Sequence, residues 1–133
     1  MILFLDTNVV IYVVEGNPVF GPKVAQRLAT AQTGGDSFMV SDLTRMEALV
    51  GPLKTKNGTV EASFHAFFAR PAVRVEGITA AVCDRAARIR ATHHFKPMDA
   101  LQLAAAVEHG ANVFLTADAR LHSFTGLTVE ILS

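Results

Sequence analysis

The sequence predicts a three-layer α/β/α domain built on a mostly parallel sheet of about five strands. Three observations lead there. Five short β-type runs alternate with helical patterns along the chain. The first run, Ile2–Leu5, is apolar at every position, as in a parallel strand covered on both faces. The length, 133 residues, suits one domain and is enough to bury a real hydrophobic core. Such an alternation brings right-handed crossovers and places a site at the carboxyl ends of the strands.

In chain order, Ile2–Leu5 reads as a strand that ends at Asp6, a favoured N-cap from which a helix can begin. Gly16-Asn-Pro marks a loop, Gln26–Ala31 is helical, and Gly34-Gly-Asp marks the next loop. Phe38–Val40 is the second strand, and Ser41 is placed to N-cap a helix over Asp42–Leu53. Turn residues from Gly51-Pro to Asn57-Gly58 lead into a helix over Val60–Arg70. There Phe64, Phe67 and Phe68 share one face, as core or as a surface for a second copy or another protein. Val73–Val75 is the third strand, and Ala80–His93 is a helix in which Cys83 reads as a core thiol. Met98–His109 is the last long helix, with Pro97 suited to its first turn and Gly110 to its left-handed C-terminal position. Asn112–Leu115 and Leu127–Ile131 complete the strands. With no repeat, low-complexity tract or linker, residues 1–133 read as one domain.

Composition narrows the function. Lys+Arg and Asp+Glu number 12 each, so the formal net charge is zero. That argues against gripping nucleic acid by bulk charge, which calls for a strongly basic domain. The single cysteine excludes an intrachain disulfide and a multi-cysteine zinc site and fits a reducing compartment. The N-terminus has no basic region and reaches Asp6 at once, unlike a signal peptide. The longest runs free of charged residues, His109–Ala117 and Leu121–Val129, fall far short of the ~20 needed to cross a bilayer. The expected location is the cytoplasm.

Carboxylates stand where a strand-end site would need them. Asp6 ends the first strand and Asp118 follows the fourth, in Phe114-Leu-Thr-Ala-Asp118; either can also cap a helix. Glu47, in the helix after the second strand, shares a face with Thr44 and Leu43, a poor address for an idle carboxylate. Asp99 opens a helix that is almost entirely small and apolar from Ala100 to Val107. The helix dipole favours a charge there, but a buried carboxylate is costly unless paired or bound to metal. Gathered within ~4–6 Å, such groups repel and raise at least one pKa unless a cation neutralises them. Hard oxygen ligands select Mg²⁺ or Mn²⁺, which suits phosphodiester hydrolysis.

Phe4-Leu-Asp-Thr-Asn8, Glu47 in Ser-x-x-Thr-x-x-Glu, Pro97-Met-Asp-Ala-x-x-Ala and Leu115-Thr-x-Asp118, in that order, resemble the PIN domain, in particular VapC-type toxins of toxin–antitoxin pairs. The resemblance implies a PIN-like fold and an endoribonuclease dependent on one or two Mg²⁺ or Mn²⁺ ions. It implies Asp6, Glu47 and Asp99 as principal metal ligands and catalytic residues, with Asp118 at a more variable fourth acidic position. It implies that Thr7, Asn8 and Thr116 hold ligands or waters. It further implies a homodimer, an RNA substrate and a small antitoxin that inserts into the active-site groove. Thr116-Ala117-Asp118 departs from the frequent Thr-Asn-Asp by lacking a side-chain amide near the metal.

Lys96, Arg90 and Arg120 read either as a solvated surface or as a phosphate-gripping rim. His65, His93, His94, His109 and His122 read as surface or helix-end residues. A phospho-receiver module would need an acidic pair at the first strand, an accepting Asp after a middle strand and a Lys after the last, none of which is present. A haloacid-dehalogenase-type phosphatase would need an acid where Asn8 stands. A catalytically idle PIN-like binding module remains the alternative to the nuclease. Setting four carboxylates aside in one pocket leaves eight acidic residues against 12 basic ones, so the zero net charge describes an acidic site within a mildly basic surface.

Overall fold

Five parallel strands, β1 (Ile2–Leu5), β2 (Ser37–Ser41), β3 (Val73–Glu76), β4 (Val113–Thr116) and β5 (Thr128–Ile131), form one sheet in the order β3-β2-β1-β4-β5. The computed structural model describes all residues, Met1–Ser133. Alternate residues of the inner strands face opposite ways, and both directions are apolar, hence their unbroken hydrophobic character. Leu3, Leu5, Phe38, Val40, Val113 and Leu115 face one core, whereas Phe4, Met39 and Phe114 face the other.

Helices α1 (Thr7–Glu15) and α2 (Phe20–Thr33) link β1 to β2, and α3 (Asp42–Lys54) and α4 (Gly58–Phe68) link β2 to β3. All four pack on the first core, to which they contribute Val9, Val24, Ala48 and Phe64 among others. The chain then returns past β1 through α5 (Ala80–Thr92) and α6 (Pro97–Glu108), which cover the second core with Val82, Ile89, Leu103 and Leu121 of the turn after β4. Reversing the direction of travel while keeping right-handed crossovers puts these helices on the opposite face. The three-layer α/β/α arrangement follows, with a sheet that is parallel throughout.

Several local expectations change. No periodicity marks α1, whose Val9–Val14 run is β-branched apart from Tyr12. The helix forms because Asp6 caps its start, Gly16 ends it in the left-handed region, and Val9 and Val10 are fully buried. An alanine at Gly16, φ 72°, would meet no neighbour within 4 Å, so only backbone strain opposes it. Gly16→Ala is expected to lower stability by about 1 kcal/mol in urea denaturation.

The α2 helix extends well beyond the expected Gln26–Ala31. Gly51-Pro52, expected both within the Asp42–Leu53 helix and at the start of a loop, is the last turn of α3, where the proline costs one helical hydrogen bond. Phe64, Phe67 and Phe68 are core residues. Cys83 is not a core thiol: it lies on the exposed side of α5, whose buried side is Val82, Ala86 and Ile89. Ser41 caps α3 as expected, and Thr44 closes a capping box with it.

Candidate active site

The strand order reverses beside β1, so the crevice between the carboxyl ends of β1 and β4 is the switch point of the sheet. Asp6 sits there, its backbone N–H donating to Leu115 O at 2.9 Å. Its Oδ1 accepts from Thr7 N at 2.8 Å, and its Oδ2 accepts from Thr116 Oγ1 at 2.7 Å and from Asn8 Nδ2 at 3.5 Å. It is both cap and site residue, so the two sequence readings describe one side chain. Asp6 is 8% exposed. Burial pushes its carboxyl up to about 6, and repulsion from Asp99 and Glu47 adds to this against the hydrogen bonds from Thr116 and Thr7.

Thr116 ends β4 and links two acids, donating to Asp6 while accepting from Asp118 N at 3.0 Å. Asn8 spans the same gap, with its Oδ1 accepting from Ala117 N at 3.3 Å, beside the position where the frequent motif carries its own amide. Asp118 caps the short 3₁₀ turn Ala119–Ser123. The Arg120 guanidinium grips both its oxygens, at 2.9 Å from Nε to Oδ1, and holds its carboxyl below the usual range. Arg120 therefore neutralises Asp118 in this arrangement.

Asp99 lies in the first turn of α6, half-buried, in a cleft of about 30 Å³ with His94, Phe95, Lys96, Arg120 and Leu121. Burial raises its pKa, as does repulsion from Asp118, against the pull of Arg120 and Lys96. Lys96 forms no ion pair, whereas Arg90 turns away to donate to Phe95 O at 3.3 Å and braces the α5–α6 connection.

Glu47, partly buried on α3, accepts from Thr7 Oγ1 at 2.8 Å through Oε1. Behind that pair lies a residue the sequence reading passed over, Gln102, which is 1% exposed. The signal was present: a lone amide in an otherwise apolar, buried stretch must find partners, and a site is where they are found. Ser41 and Thr44, read only as helix-start and face residues, are among those partners.

The four carboxylates thus reach one edge of the sheet and feel one another's charge, but no three acidic, histidine or cysteine side chains cluster tightly enough to hold an ion unaided. They form an open arc. Its all-oxygen donors fit Mg²⁺ or Mn²⁺, and Mg²⁺ is commonly held by one or two carboxylates with water and substrate phosphates completing its shell.

Fold and site together define an α/β protein with an acidic crevice at the switch point of a parallel sheet. The chain belongs to the PIN domain family, whose model matches residues 3–127. Solved structures with this fold include VapBC2 from Rickettsia felis bound to a promoter DNA fragment, 16% identical, TM-score 0.83, covering 100% of both chains. VapBC-1 from nontypeable Haemophilus influenzae is 20% identical, TM-score 0.78, over 99% of this chain and 98% of that one. Mycobacterium tuberculosis VapC20, a sarcin-ricin loop cleaving toxin, is 17% identical, TM-score 0.69, over 93% and 90%. No curated protein matches the sequence significantly. No helix is long and apolar enough to cross a membrane.

Proposed function

We propose that this chain is a divalent-metal-dependent endoribonuclease acting in the cytoplasm as the toxin of a toxin–antitoxin pair. The observation that carries the reading is the acidic arc itself. Asp6, Glu47, Asp99 and Asp118 come from four separate segments, and the most buried of them, Asp6, is raised to about 6 largely by desolvation. A fold gains nothing from burying such a carboxyl beside other acids, whereas a cation would offset both the burial and the repulsion. One or two Mg²⁺ or Mn²⁺ ions would supply hydroxide and steady the leaving oxygen in phosphodiester hydrolysis.

The chain's own groups have distinct tasks in this reading. Thr116 and Thr7 aim Asp6, whose ionised form prevails above pH 6 and binds the cation. Asp99 adds charge from the start of α6, and Lys96, unpaired beside it, meets a phosphate of the RNA. Arg120 holds Asp118 until substrate or cation competes for one of them. The likeness to VapBC complexes supports a small antitoxin as partner. The exposed stripe Met46, Val50 and Leu53 on α3, led by Leu53 at 56%, supports a protein partner, antitoxin or second copy.

Incubation with structured RNA and Mg²⁺ or Mn²⁺ tests the activity: cleavage is expected, and EDTA or Asp99→Asn should remove it. Cleavage that survives EDTA overturns the metal reading. The absence of a tight carboxylate cluster favours a second reading, an idle PIN-like module, which would bind RNA or protein with no turnover under any divalent ion.

A further inference from the structure

Gln102, on α6, ties together at the site the end of β2, α3 and α1. Its Oε1 accepts from Ser41 Oγ at 2.6 Å at the end of β2. Its Nε2 donates to Thr44 Oγ1 at 3.1 Å on α3 and to Thr7 Oγ1 at 3.2 Å on α1, with Glu47 Oε1 a longer 3.5 Å away. The directions of these bonds are set by their neighbours. Ser41 Oγ already accepts from Leu43 N, so its proton is free for Gln102. Thr44 Oγ1 accepts from Ser41 N as well. With an N–H of Gln102 on Thr7 Oγ1, the Thr7 proton is left to point at Glu47 Oε1. A reversed amide would offer Thr7 an acceptor and draw that proton away from Glu47.

We infer that Gln102 is a positioning residue that works through Thr7 to occupy Oε1 of Glu47 and leave Oε2, which accepts no hydrogen bond within the chain, as the oxygen offered to a divalent cation. A carboxylate held by one oxygen takes one place on an ion and leaves others for water and phosphate, as phosphodiester chemistry requires. The partners of a ligand commonly carry a 10–100-fold share of metal affinity. This inference rests on the metal-dependent reading above.

Mn²⁺ binding to the full chain without RNA, followed by electron paramagnetic resonance, separates the two. Gln102→Met is expected to weaken Mn²⁺ about 10–100-fold. Thr7→Val, which leaves Gln102 in place, should weaken it to a similar degree, and Thr7→Ser should restore it. The double variant should bind no more weakly than the weaker single, because both break one chain of contacts. The cation concentration for half-maximal cleavage should rise in step. Wild-type affinity in Thr7→Val, or losses that multiply in the double variant, would overturn the inference even if Gln102→Met proved too unstable to purify. No Mn²⁺ binding by the wild-type protein would overturn the metal reading and this one with it, whereas intact wild-type binding with unaltered variants overturns this one alone.

Discussion

Asp6→Asn is expected to raise the melting temperature at pH 7 while cutting metal-dependent RNA cleavage on the order of 10³-fold, about 4 kcal/mol of barrier. The folded protein holds the Asp6 proton more tightly than the unfolded chain does, since burial lifts the carboxyl from 3.8 to about 6. The stability this contributes is present below about pH 4 and is lost as pH rises through 6. Above that, the buried charge opposes folding by up to about 3 kcal/mol. Asparagine removes the charge but keeps only one carbonyl oxygen for the donors Thr7 N and Thr116 Oγ1, which returns about 1 kcal/mol. A net gain of about 1–2 kcal/mol should raise the melting temperature by about 3–6 °C. The gain should vanish as pH falls from 6 to 4. Mg²⁺ should stabilise the wild-type protein and leave Asp6→Asn unmoved. Thermal melts across pH, with and without Mg²⁺, check this; a variant less stable than wild type at pH 7 would refute the account. Because the Asp6 proton competes with the cation, the Mg²⁺ concentration needed for half-maximal cleavage should rise as pH falls through 6.

Phe114→Ala should cost about 3–5 kcal/mol, a large part of a domain's whole stability. The ring of Phe114 stacks on Phe4 from the neighbouring strand, centroids 5.3 Å apart and planes within 8°, and both are fully buried. That pair sits in the ladder that sets Leu5 beside Leu115 and hence Asp6 beside Thr116. Urea denaturation reads the loss directly. A cost below about 1 kcal/mol would mean the second core closes around the hole and the β1–β4 seam does not depend on this stack.

Much of the fold is legible in the chain because parallel strands buried on both faces carry a distinctive apolar run. Capping is legible for the same local reason: Ser41, Pro97 and Gly110 each act within a turn of their own position. The α1 helix was not legible, since its β-branched residues argue against a helix and burial of Val9 and Val10, added to the Asp6 and Gly16 caps, holds them in one. Cys83 shows the converse error. An Ala-rich helix buries one stripe only, and which side that is depends on where the sheet lies.

What the sequence determined by itself is the order of the strands and of every long helix but α1, the parallel character of the sheet, and the placing of Asp6, Asp99 and Asp118 at element ends, with Glu47 on the helix that follows β2. These depend on periodicity and capping, which act over a few residues. Only the tertiary structure decided that Thr116 grips Asp6, that Arg120 closes on Asp118 and that Gln102 stands behind Thr7 and Glu47. The first and last of these join residues 110 and 95 positions apart. Hydrogen bonds across such separations exist only once strand order has brought β1, β2 and β4 edge to edge. No local preference along the chain records them.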